Sequence, residues 1–154
     1  MKFNEFYSLT IVHSRDIILV KGVDYMNITK QKSQKTFDKQ AADYDTNIQG
    51  EHARKLYKPI IENLKNKNIH SILDLGCGTG ALLKEIKELN IAEQLFGIDI
   101  SPNMLEIAKN KLGNDATLIL GDSERLPFED SSFDAIVCND SFHHYPQPDI
   151  VEKE

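Results

Sequence analysis

Three glycines at alternate positions, Gly76, Gly78 and Gly80, lie between the apolar run Ser71-Ile72-Leu73-Asp74-Leu75 and a helical pattern that starts at Ala81. Glycine permits positive φ and removes the Cβ that would keep a ligand away from the backbone. A helix starting there offers unpaired N–H groups to a negative group. This is the chemistry of a nucleotide-like cofactor, and taken alone it suits nicotinamide and flavin enzymes equally well. Asp99 closes the next apolar run, 19 residues after Gly80. A carboxylate there can accept hydrogen bonds from both hydroxyls of a ribose.

Three features favour an adenosyl cofactor over a dinucleotide. Asp74 stands two residues before the first glycine, the spacing is G-x-G-x-G rather than G-x-G-x-x-G, and a third run ends in Gly121-Asp122-Ser123-Glu124. Adjacent His143 and His144 in an extended segment point opposite ways and make a poor chelating pair. One of them can serve as a base, since imidazole titrates near neutral pH, or both belong to a surface loop. With two cysteines and no carboxylate cluster at ligand spacing, no metal site is expected.

The elements that must position these residues follow from periodicity. Phe37, Ala41, Tyr44 and Ile48 predict a helix over 33–46, and Ala53, Leu56, Tyr57, Ile60 and Leu64 a second one, kinked or restarted at Pro59. After residue 70 strands and helices alternate. Strands are predicted at Ser71–Leu75, Gln94–Ile100, Thr117–Leu120 and Phe133–Cys138, and helices from Ala81 to Leu89 and from Pro102, with Ser101 as N-cap. Met104, Leu105, Ala108 and Leu112 form the buried side of the latter. Such alternation implies a parallel sheet with helices on its faces. Ligands bind outside the carboxyl ends of such strands, which here are Gly76, Asp99, Asp122 and Asn139.

The bulk numbers agree with one globular domain of 154 residues, 40% hydrophobic and 27% charged. Residues 1–70 carry 12 Lys/Arg against 8 Asp/Glu, and residues 71–154 carry 6 against 16. The acidic body argues against a nucleic-acid partner, because phosphate binding needs a basic face. No run approaches the ~18 apolar residues of a membrane span. Cys77 and Cys138 form no disulfide framework, so a cytoplasmic setting is expected. Cys77 reads as a residue chosen for its size and Cys138 as a buried strand residue.

In order along the chain, Ile-Leu-Asp-Leu-Gly-Cys-Gly-Thr-Gly (72–80), Gly-Ile-Asp-Ile-Ser (97–101) and Gly-Asp-Ser-Glu-Arg-Leu-Pro-Phe (121–128) resemble the class I S-adenosylmethionine-dependent methyltransferases. The likeness is greatest to the small-molecule branch that includes ubiquinone/menaquinone-biosynthesis-type enzymes. It covers about residues 35–148, with Phe37-Asp38 and Tyr44-Asp45 similar to the helix before the core. The resemblance implies an α/β, Rossmann-like sandwich with helices on both faces of a parallel sheet, S-adenosylmethionine as cofactor, and a small-molecule methyl acceptor. Position by position it places Asp74, Gly76, Cys77, Gly78 and Gly80 around the methionine part and Asp99 on the ribose. Ile100 and Met104 would lie near the adenine, Asp122 on its amino group, with Ser123 helping through its backbone, and Asn139 near the methyl group. Tyr44 either covers the cofactor or packs in its helix. Methyl transfer from a sulfonium is a direct displacement, so positioning matters most and no catalytic residue is singled out.

The family sheet has seven strands, whereas four are legible here. The expectation is therefore a domain with its late strands missing: helices over 31–68, an incomplete cofactor core over 69–154, and an extension over 1–30. Either Met26 is the true start of the chain or the preceding residues form a short leading strand or arm. An incomplete chain can methylate weakly or survive as a remnant that binds cofactor or a partner without turnover. A dinucleotide-binding oxidoreductase fragment is the third reading. The fourth strand, Ala135-Ile136-Val137-Cys138, would be an exposed apolar edge open to pairing with a second copy.

Overall fold

The computed structural model describes residues 10–11, 26–48 and 50–139. Its elements are β1 (Thr10–Ile11), α1 (Met26–Gln40), a 3-10 turn (Ala41–Asp43), α2 (Glu51–Leu64), β2 (Ser71–Leu75), α3 (Ala81–Glu88), β3 (Gln94–Asp99), α4 (Pro102–Leu112), β4 (Thr117–Leu120) and β5 (Ala135–Cys138). The sheet order is β1-β5-β2-β3-β4. β5, β2, β3 and β4 run parallel, with Leu75 paired to Ile98 on one side and to Cys138 on the other. This is the Rossmann-like arrangement expected from the alternation of strands and helices.

The chain steps outward from β2 through β3 to β4 and then returns to the far side of β2 as β5. The strand order therefore reverses between β2 and β5, which is where such sheets open a crevice for ligands. All five residues of β2 are buried, as a strand covered on both faces must be.

On one face, Ile60, Ile61 and Leu64 of α2, Leu83 and Ile86 of α3 and Leu112 of α4 pack with Ile72, Leu95 and Val137. On the other, Leu73, Leu75, Ile98 and Cys138 are covered by Leu126, Phe128 and Phe133 together with Phe96. Phe96, Phe128 and Phe133 meet edge to face with centroids 4.8–6.1 Å apart. Among the described residues the helices of the α/β core thus share one face, and the segment between β4 and β5 covers the second.

Two expectations change. The first helix starts at Met26 and ends at Gln40 rather than spanning 33–46. Its half-buried stripe is Lys30, Ser33, Gln34, Phe37 and Asp38, mostly polar, so apolar spacing could not reveal its first turns. The outer edge of β5 is not bare either: Thr10 and Ile11 pair antiparallel with Cys138 and Val137. The backbone groups of that edge are taken up by the same chain. α2 runs on through Pro59.

Candidate functional site

The glycine loop is moulded onto β3. Gly76 and Cys77 both donate N–H bonds to the Ile98 carbonyl, at 2.8 and 3.0 Å, and Gly80 N–H closes the turn on Cys77 O at 2.9 Å. Asp99 Oδ2 accepts the Gly78 N–H and Oδ1 the Ser101 N–H, both at 2.8 Å. The ribose candidate therefore also fastens the glycine loop to the start of α4. Ser101 is the N-cap as expected: its Oγ accepts the Met104 N–H at 3.1 Å and donates to Asp38 Oδ1 at 2.5 Å. That second bond docks α1 on α4.

Above this loop lies a cavity at the carboxyl ends of the strands. Tyr44, Asp74, Gly76, Cys77, Gly78, Asp99, Ile100, Met104, Asp122, Ser123 and Asn139 all line it. Gly80 is outside it. Its φ is +72°, and a Cβ there would meet Leu112 Cδ1 at 2.9 Å and Ala108 Cβ at 3.0 Å. Gly80 serves the left-handed N-terminal cap of α3 and close packing against α4. Gly78 is the opposite case: φ is +52° and a Cβ would meet nothing within 4 Å.

Burial sets the electrostatics. Asp74 is 2% exposed, and its Oδ1 has no hydrogen-bond partner. Desolvation first, and the neighbouring Asp99 charge second, push its carboxyl well above the usual range. Asp99 is raised too, by burial, against the pull of its backbone N–H partners. Asn139 Nδ2 donates to Ala53 O at 3.3 Å while its buried Oδ1 is unpaired. Buried polar groups are normally satisfied, so two orphan acceptors on residues that line one cavity mark a place for donors such as an ammonium. The Cys77 thiol is pushed well up by burial, which makes it unreactive.

Sequence reasoning missed a wall of the cavity supplied by Lys30, Ser33 and Phe37 of α1, with Ala53 and Tyr57 of α2 and Thr79 of the loop. Lys30 Nζ lies 2.5 Å from both Asp122 Oδ2 and Glu124 Oε2. The signal was present: Lys30, Ser33 and Phe37 stand at i, i+3 and i+7, one face of a helix. Tyr57 is held neutral, by burial and then by the nearby Asp74 and Asp45. Among the described residues no group of three or more His, Cys, Asp or Glu is placed to hold a metal. No described helix is long and apolar enough to cross a membrane. His143 and His144 lie outside the described residues.

With this geometry in place, comparison with known proteins gives a consistent class. The methyltransferase-domain family profile matches residues 72–153. The chain is 34% identical over 129 residues to a demethylmenaquinone methyltransferase of Thermotoga maritima, covering 82% of this chain and 56% of that protein. It is 34% identical over 121 residues to a malonyl-[acyl-carrier protein] O-methyltransferase of Priestia megaterium, covering 77% and 43%. Among solved structures, a Haloferax volcanii methyltransferase in complex with its activator superposes with a TM-score of 0.63 at 27% identity, over 75% of this chain and 51% of that one. The chain belongs to the methyltransferase-domain family. It spans about half the length of the curated relatives it matches.

Proposed function

We propose that this chain binds S-adenosylmethionine in the cavity above the glycine loop and serves methyl transfer to a small-molecule acceptor by direct displacement. The observation that carries the reading is the unpaired, buried Oδ1 of Asp74 beside the open space over Gly78. An ammonium such as that of the methionine moiety supplies the donor this acceptor lacks. The cofactor, when bound, supplies the activated methyl group.

The chain's own residues then bind and orient. Asp74, Gly76, Cys77, Gly78 and Asn139 hold the methionine end, Asp99 the ribose, and Ile100, Met104, Asp122 and Ser123 the adenine end. Gly80 supports the loop from behind. Tyr44 and Phe37, in edge contact at 6.3 Å, cover the site and keep water out. Positioning of this kind is worth up to ~7–11 kcal/mol of barrier. The acceptors in the relatives' names, demethylmenaquinone and malonyl-[acyl-carrier protein], support an acceptor outside the nucleic acids. The free thiols of Cys77 and Cys138 suit a cytoplasmic setting.

Calorimetric titration with S-adenosylhomocysteine and, separately, NADH tests the reading. Binding of the first and not the second is expected. Binding of NADH alone would overturn it in favour of a dinucleotide enzyme. A methyl-transfer screen over quinol, carboxylate and thioester-linked acceptors then separates turnover from binding without turnover.

A further inference from the structure

The turn after α1 and the glycine loop are tied by a compact polar cluster at the edge of the cavity. Asp45 Oδ1 accepts the Thr79 hydroxyl at 2.5 Å, and Asp45 Oδ2 accepts Lys111 Nζ at 2.7 Å. Lys111 Nζ also donates to Thr79 Oγ1 at 3.2 Å. Three elements far apart in sequence, the 44–47 turn, the loop and α4, therefore share one triangle of bonds. Thr79 is only 3% exposed and lines the cavity. It follows Gly78, whose N–H is fixed on Asp99.

On its other side the cluster reaches the aromatic cover. Tyr44, the peptide neighbour of Asp45, lines the same cavity. The turn itself is stiff. Arg54 donates to Tyr44 O at 2.8 Å and to Asn47 O at 2.7 Å, and Gly50 N–H bonds Asn47 Oδ1 at 2.8 Å. With the turn's backbone held in this way, the bonds of the Asp45 carboxylate to Thr79 and Lys111 fasten the whole turn, Tyr44 included, to the glycine loop. An isolated surface ion pair would have little effect on either neighbour. A carboxylate shared between a buried loop hydroxyl and a lysine on another helix is different, because moving it leaves a buried group unsatisfied.

We propose that Asp45 is a positioning residue that fixes the register of Tyr44 on the glycine loop, so that the loop and the cover over the cavity act as one element. The inference rests on the cofactor reading above. It predicts that Asp45 and Tyr44 are coupled in ligand binding although the Asp45 side chain bonds to Thr79 and Lys111 rather than facing the ligand.

The test is a four-member cycle of wild type, Asp45→Asn, Tyr44→Ala and the double variant, titrated with S-adenosylhomocysteine. Amide hydrogen exchange is followed on the ligand-free proteins. Asp45→Asn should weaken binding about tenfold, mainly through faster dissociation, and the double variant should bind no more weakly than the weaker single one. Exchange should quicken together at residues 44–47 and 76–80. Thr79→Val should repeat the effect and Thr79→Ser, which keeps the hydroxyl, should not; this pair decides the matter if Asp45→Asn does not fold. Effects that multiply in the double variant, or exchange at 76–80 that is unmoved by Asp45→Asn, would overturn the proposal. Wild type that ignores S-adenosylhomocysteine would overturn the cofactor reading instead, and the exchange data would still decide the coupling of turn and loop.

Discussion

Asp74 and Asn139 stand at the carboxyl ends of neighbouring parallel strands, with Asp74 in register with Val137 two residues before Asn139. Each holds one buried oxygen without a hydrogen-bond partner. The two sit astride the point where the strand order reverses. A buried carboxylate that lacks a donor is costly to keep charged, which is why burial and Asp99 raise the Asp74 pKa. For a carboxylate raised in this way, the stability it contributes is present below the unfolded-state pKa and is lost as pH rises through the folded value.

Asp74→Asn should therefore separate stability from binding. The neutral amide removes the buried charge, so the ligand-free variant should melt at or above wild type at neutral pH. Affinity for S-adenosylmethionine should fall about ten- to a hundredfold, the worth of a charge-assisted hydrogen bond. In wild type the increase in Tm given by S-adenosylhomocysteine should grow as pH rises above the ordinary carboxylate range, because binding needs Asp74 ionised. In the variant that increase should be flat with pH. Thermal melts across a pH series, with and without ligand, check both statements.

The glycines of the loop should divide by role. Gly80→Ala forces a side chain into left-handed backbone and against Ala108 and Leu112, at a cost of roughly 2–4 kcal/mol from backbone strain and overpacking together. Gly78→Ala meets open space and should cost only ~1–2 kcal/mol of stability, from its positive φ. Its methyl group, however, projects where the ligand would lie. The expected outcome is a large loss of stability for Gly80→Ala and a disproportionate loss of affinity for Gly78→Ala, read by denaturant unfolding and titration calorimetry on the same samples.

That division shows what the sequence could and could not convey. The glycine spacing, Asp99 and Asp122 placed the cavity correctly because strand ends and turn chemistry are local properties. Gly80 looked like its two neighbours, since contact with α4 is a tertiary fact that no spacing records. The roles of Lys30 and Thr79 were hard to read for a related reason, although Lys30 shares a helix face with Ser33 and Phe37. A polar residue on a helix is read as solvated until a partner appears, and the partners here are 92 residues away for Lys30 and 34 away for Thr79. The edge of β5 was misjudged because the two-residue β1 has no periodicity to detect.

Acid should loosen the fold at two carboxylates. Asp134 Oδ2 accepts the backbone N–H groups of Ser71 and His70, each at 2.9 Å, and these bonds hold its pKa below the usual range. Asp45 works against burial, which would raise it, yet its bonds from Lys111 and Thr79 leave it lowered. For a lowered carboxylate the contribution is present above the unfolded pKa and lost as pH falls through the folded one. Wild type should therefore lose stability on acidification below the ordinary carboxylate range, and Asp134→Ala and Asp45→Asn should each show a shallower fall from a lower starting point. Urea midpoints across that acidic range supply the measurement.

Strand β1 offers the last prediction. Its two residues pair with Val137 and Cys138, while β5 keeps its independent parallel pairing with β2 from Ala135 to Cys138. A variant beginning at Met26 should consequently retain the parallel sheet, along with the ties of α1 through Lys30 to Asp122 and through Asp38 to Ser101. What it loses is the cover on the outer backbone groups of β5. An unpaired strand edge with apolar neighbours is a template for another chain. Sedimentation velocity over a concentration series should show the full chain as the less associated of the two, with far-ultraviolet circular dichroism alike for both. Equal association would mean that the pairing of Thr10 and Ile11 is not what protects this edge, and loss of the circular dichroism signal would mean that β1 is needed for the sheet itself.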